Sequence, residues 1–200
     1  REKILNKIRK ALATPVPLPF PEKSDSPGFY LPAQDELDVL FAEAFIKLQG
    51  KFVYCANETE LQQQLQQLIA AKEWMKIYCN DDRWNEQYSN TIALESCDAS
   101  ITGCELLVAR TGTIVMSSAE QSGRTVSVYA PVHICIGYTT QLVYDIKDAL
   151  ELLKQKYHDH IPSFITFASG PSRTADIEKT LVTGVHGPKE VYLFLVDKKT

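Results

Sequence analysis

Clustered cysteine is the first thing this 200-residue chain lacks. Cys55, Cys79, Cys97, Cys104 and Cys135 form an odd set with no CxxC pair. A disulfide framework, a zinc site or an iron–sulfur cluster needs tighter clustering, so none of these is expected. Most of the five sit inside apolar runs such as KFVYC and HICIG, where free cysteine behaves as a small buried hydrophobe. The reading is a reducing, cytoplasmic protein with no metal and no cofactor of its own. A long apolar run is also missing: nothing reaches the roughly 18 residues that span a membrane. The basic opening REKILNKIRKALATPVPLPF has neither the continuous apolar stretch nor the small-residue cleavage site of a leader. Positive charge is short as well. With 21 Lys and Arg against 25 Asp and Glu, the net charge of -4 argues against nucleic acid, which calls for a basic face.

What remains is an ordinary globular composition, 44% hydrophobic, with length enough to bury a substantial core. Residues 1–32 read as an N-terminal helix, with Ile4, Leu5, Ile8 and Leu12 on one face, followed by a proline-rich arm. Residues 33–200 read as a single α/β domain. QDELDVLFAEAFIKLQG has the spacing of an amphipathic helix, and NETELQQQLQQLIAAKEW opens a second one at Asn57 or Thr59. KFVYC and MKIYC read as short buried strands between them, an order that favours parallel strands covered by helices. ELLVARTGTIVMSS, TVSVYA and HICIGY then suggest a meander or mixed sheet. QLVYDIKDALELLKQKY predicts a helix with Val143, Ile146, Leu150, Leu153 and Tyr157 inward. SFITFA and EVYLFLVD complete the strands.

The chemistry-bearing residues gather late in the chain. SFITFASGPSRTADIE predicts a strand, a glycine–proline turn and a helix start, the place where an α/β sheet usually binds ligands. Freed N–H groups at Gly170 with Ser172, Thr174 and the fork of Arg173 suit a carboxylate or phosphate. The same residues suit a capped helix with Arg173 paired to Asp176. Asp176 and Glu178 are candidate acid–base groups singly, since two residues apart they share a side only on extended backbone. His186, beside Gly187 in GVHGP, is a candidate base or ligand contact, or serves only its turn. Thr111, Gly112 and Thr113 form either a hairpin turn or an anion nest. Arg124, after the next strand, is expected to bring a second positive charge to the cavity of Arg173, with Gly112 at its floor. His158 and His160 complement the end of a helix rather than bind metal.

GPSRTADIE at Gly170–Glu178, GVHGP at Gly184–Pro188 and TGT at 111–113 together resemble the LUD-domain family, and within it the lactate utilization protein C subfamily. The resemblance runs through most of the chain. It implies a three-layer α/β/α sandwich like that of sugar-phosphate isomerases and CoA transferases. It also implies a role in oxidising L-lactate to pyruvate, beside an iron–sulfur oxidoreductase subunit and an iron–sulfur ferredoxin-like subunit, with a small anionic ligand. One position departs from the pattern: Arg110 stands where the family commonly has a carboxylate before TGT. That weakens covalent acyl transfer at this spot, and Glu105, five residues earlier, is not an obvious replacement. The alternative is a free-standing isomerase, transferase or cyclo-ligase type of enzyme acting on a phosphate, CoA or folate compound.

Overall fold

The computed structural model describes residues 2–13, 33, 35–177 and 180–198. The chain divides into two units, Arg1–Pro32 and Ala33–Thr200. The first contains helix α1 (Glu2–Leu12), whose Ile4 and Leu5 are exposed.

In the second unit the elements run α2 (Leu37–Lys47), β1 (Lys51–Cys55), α3 (Glu58–Ala71), β2 (Ile77–Cys79), β3 (Ala99–Thr102), β4 (Leu106–Val108) and β5 (Thr113–Ser117). There follow α4 (Val126–Tyr129), β6 (Val132–Tyr138), β7 (Leu142–Val143), α5 (Ile146–Tyr157), β8 (Ile165–Ala168), β9 (Arg173–Ile177), β10 (Thr180–Thr183) and β11 (Glu190–Val196). Five strands form a parallel sheet in the order β1-β11-β6-β3-β2. A mixed sheet has the order β7-β4-β5-β8, and β9 pairs antiparallel with β10 as a separate ribbon.

Period-two patterning sorts the core. Ile134 and Ile136 of β6 and Tyr192 and Phe194 of β11 pack with Leu61 and Leu65 of α3 on one face of the parallel sheet. Cys135, Leu193 and Leu195 face the other way, onto Phe41 and Phe45 of α2 and Leu107 and Ile114 of the mixed sheet. Val108 and Val115, on the opposite face of that second sheet, meet Ala149 and Leu153 of α5. Helices therefore lie outside and strands inside. This is the expected α/β/α arrangement, with the β layer doubled over part of its area.

Caps set the helix starts. Asn57 accepts from the Glu60 N–H at the head of α3, and Asp145 accepts from the Lys147 N–H at the head of α5. That cap places Val143 in β7 rather than on the helix, and Leu150, expected inward, is 41% exposed. Two other expectations change. TVSVYA is not a strand: residues 126–129 form one helical turn, with the Val128 and Tyr129 N–H groups on the Thr125 carbonyl, and Pro131 ends it. The helix start expected after Pro171 is strand β9, because backbone pairing with β10 satisfies the same N–H groups.

Candidate functional site

Three of the sequence-named residues converge on the end of α2. Gly112 has φ 57°, and a Cβ there would lie 2.6 Å from the Phe45 backbone nitrogen. Gly170 has φ 78°, and its Cβ would lie 2.7 Å from the Leu48 carbonyl oxygen. Both positions combine a left-handed backbone with a helix pressed against it, so only glycine fits without displacement. The Arg173 guanidinium donates from Nη2 to that same Leu48 oxygen, at the α2 terminus. Nearby the hydroxyls answer one another: Thr113 Oγ1 is 2.7 Å from both Thr111 Oγ1 and Ser169 Oγ. Arg110 donates to Asp145 Oδ2 at 2.5 Å and so ties this turn to the head of α5.

Other members of the predicted set go elsewhere. Thr174 pairs with Val182 inside the β9–β10 ribbon. Arg124 donates to Ser163 Oγ at 2.5 Å and lies over the Phe164 ring, so it and Arg173 hold different partners on different elements. Glu178 and the Asp176 side chain lie outside the described residues.

Gly170, Ser172, His186 and Gly187 do come together. They line a cavity of about 150 Å³, with Ser127 and His133 across it. Backbone hydrogen bonds assemble it: the Ser172 N–H donates to Pro188 O and the Gly184 N–H to Ser172 O, both at 3.0 Å. Gly187 is needed here because a Cβ would come 2.9 Å from that of Ser172. Exposed His186 also borders a second depression, about 370 Å³, with Val128 and Tyr129. His133 was not singled out in the sequence, since in HICIG it reads as one more strand residue. It is buried, with Nε2 2.8 Å from Thr102 Oγ1, whose hydroxyl donates to Gly103 O. That hydroxyl therefore accepts from Nε2–H, and burial pushes the imidazole pKa down to about 4, so the ring is neutral.

At the other end of the parallel strands, beyond the carboxyl ends of β2, β3 and β6, lies a polar cleft of about 450 Å³. Asp81, after β2, accepts from Arg83 Nε at 2.8 Å and Nη2 at 2.5 Å. Gly103 makes room for that fork: a Cβ there would lie 2.3 Å from Arg83 Nη2. Glu105, after β3, is buried and accepts from Ser117 Oγ at 2.5 Å, Lys156 Nζ at 2.6 Å and the Tyr157 hydroxyl. Burial raises both carboxyl pKa values, but the donors outweigh it and leave each below its ordinary range. Glu120 differs. Burial and the Glu105 charge push its pKa up, against weaker pulls from Lys156 and Arg83. Apart from Glu105, noted only for its position before the turn, none of these residues stood out in the sequence. They are scattered from position 81 to 156 and share no motif.

The LUD domain profile matches residues 70–196, which include both cavities' polar residues. A lactate utilization protein C from Anoxybacillus flavithermus is 28% identical over 222 residues, covering 98% of each chain. One from Bacillus velezensis is 33% identical over 137 residues, covering 66% of this chain and 57% of that protein. The crystal structure of a DUF162 family protein from Deinococcus radiodurans superposes with a TM-score of 0.59 at 18% identity. It covers 80% of this chain and 96% of that one, a likeness of fold. With the profile spanning most of the α/β unit, the chain belongs to the LUD-domain family.

Proposed function

We propose that this chain serves a lactate-utilisation system as a non-cluster component, binding a small anionic ligand and working beside iron–sulfur partner proteins. The names of its relatives support the lactate role. The observation that carries the ligand reading is the cavity that unites Gly170, Ser172, His186 and Gly187, residues drawn from two separate motifs. Its hydroxyls and imidazole suit a carboxylate, and Val128 and Met116 suit a methyl group. Oxidising L-lactate to pyruvate removes two electrons and two protons. The five cysteines here are free and buried, and among the described residues they join no group that could hold a metal ion, so this reading gives the electron acceptor to the partners.

The test is growth of a deletion strain on L-lactate, complemented with the wild-type chain or with Ser172→Val or His186→Gln at matched abundance. Affinity purification from the same cells, with and without lactate, accompanies it. Restored growth with wild type alone, and iron–sulfur proteins co-purifying, supports the reading. Full growth with both variants, or no co-purifying iron, overturns it.

A further inference from the structure

Of the polar side chains that line the cavity of Gly170, Ser172, His186 and Gly187, His133 alone is buried, at 1% exposure. Its backbone is held in mid-sheet, paired with Val191 of β11 on one side and Ser100 of β3 on the other. The ring is tied at one nitrogen. Nε2 lies 2.8 Å from Thr102 Oγ1, and that hydroxyl donates to Gly103 O at 2.9 Å, so the hydrogen between ring and hydroxyl belongs to Nε2. A neutral imidazole carries one such hydrogen, and Nδ1 therefore presents a lone pair. Among the described residues Nδ1 takes no hydrogen bond. None of their side-chain nitrogens or oxygens is both sealed from solvent and without a partner. Nδ1 thus opens on accessible space, and the space His133 borders is this cavity. On the reading that the cavity takes a small anion, we propose that its ligand is a 2-hydroxy acid, whose hydroxyl donates to His133 Nδ1 while Ser172 and His186 hold the carboxylate.

The lone pair selects the class. A buried acceptor left without a donor is unfavourable, and an oxygen lone pair set against it is worse. A carboxylate and a 2-oxo group offer only acceptors, so neither suits Nδ1; a hydroxyl offers a donor without a charge. A 2-amino acid also has donors, but its ammonium calls for a carboxylate, and no Asp or Glu lines the cavity. Size agrees. At about 150 Å³ the cavity is well below the roughly 300–1,000 Å³ of drug-sized sites and suits a ligand of a few heavy atoms. Burial keeps the ring neutral down to about pH 4, so the acceptor is present throughout the neutral range. Oxidation of the hydroxyl removes the donor, so the contact that holds a 2-hydroxy acid lets the 2-oxo acid go. Thr102 is the positioning residue: by accepting from Nε2–H it fixes the tautomer that leaves Nδ1 bare.

The experiment is titration calorimetry of the full chain at pH 7 with sodium L-lactate and, separately, sodium pyruvate. The two share a carboxylate and a methyl group and differ only at C2. Expected is saturable L-lactate binding at least roughly tenfold tighter than that of pyruvate, the scale of one buried hydrogen bond against an unmet acceptor. His133→Gln keeps a donor toward Thr102 but has no acceptor at the Nδ1 position, and should bring the ratio near one. Thr102→Val leaves the cavity wall unchanged and frees the ring to carry its hydrogen on Nδ1. It should lower the same ratio, and it serves even if His133→Gln fails to fold. Equal affinities, or tighter pyruvate, overturn the inference while the anion reading stands. Binding of neither below roughly 10 mM overturns both. A lactate preference that persists in a folded variant overturns the role of His133.

Discussion

At the amino end of β6, glycines carry the geometry and hydroxyls answer one another; at its carboxyl end, charged side chains from separate segments meet in open space. Gly112, Gly170 and Gly187 mark places where another backbone or side chain leaves no room for a Cβ. The cleft has one such glycine, Gly103, and it serves to seat a guanidinium. The contrast separates two kinds of sequence signal. A compact motif such as GPSRT or TGT records a local steric demand, and part of that demand here comes from packing against α2. A charged site assembled by topology leaves no compact motif.

The sharpest way to break the comparison is at Gly112. Gly112→Ala forces a left-handed backbone on a residue with a side chain and drives a methyl into the α2 backbone. The combined loss is about 4 kcal/mol of stability. Urea unfolding measures it, and a loss under about 1 kcal/mol would show that α2 can move aside.

The next effect belongs to His133, which is neutral and buried in the fold. Its folded pKa, about 4, lies below the ordinary value of 6.5. Its stabilisation is therefore complete above about 6.5 and is lost as pH falls toward about 4, a change of roughly 3 kcal/mol. Carboxylates with depressed values, such as Asp81 and Glu105, lose theirs further toward acid. Unfolding midpoints at pH 7.5 and 4.5 should differ in wild type and converge in His133→Gln. Parallel behaviour of the two proteins would show that the imidazole takes up its proton without unfolding.

The smallest effect is expected at Arg173. Its guanidinium is exposed and donates to the Leu48 carbonyl, just past the last residue of α2, where Lys can substitute in part. Arg173→Lys should cost at most about 1 kcal/mol. Lactate-dependent growth of the same strain separates this helix-end role from an anion clamp, since a fork that grips a ligand does not tolerate Lys. Normal growth favours the helix end; a growth defect with folded protein restores the clamp.

Much of the fold was legible because its signals are local. Apolar runs without alternation, HICIG and VYLFLV, mark strands buried on both faces, and these became the central β6 and β11. Asn57 announced its helix by its own side chain. TVSVYA misled because β-branched residues describe a preference for strands, while four residues between a turn and Pro131 had no neighbouring strand to pair with. GPSRT misled in a related way: its turn was read correctly, but whether the freed N–H groups find a helix or another strand depends on what returns beside them.

Composition and patterning by themselves determined the α/β class, the buried free cysteines and the glycine turns, because burial period and backbone sterics act over a few residues. Tertiary structure decided which polar groups face one another. Asp81, Glu105, Glu120 and Lys156 meet because parallel strands end side by side and α5 lies across the second sheet. Whether a carboxylate is paired or an imidazole neutral depends on such neighbours, and no spacing along the chain encodes them.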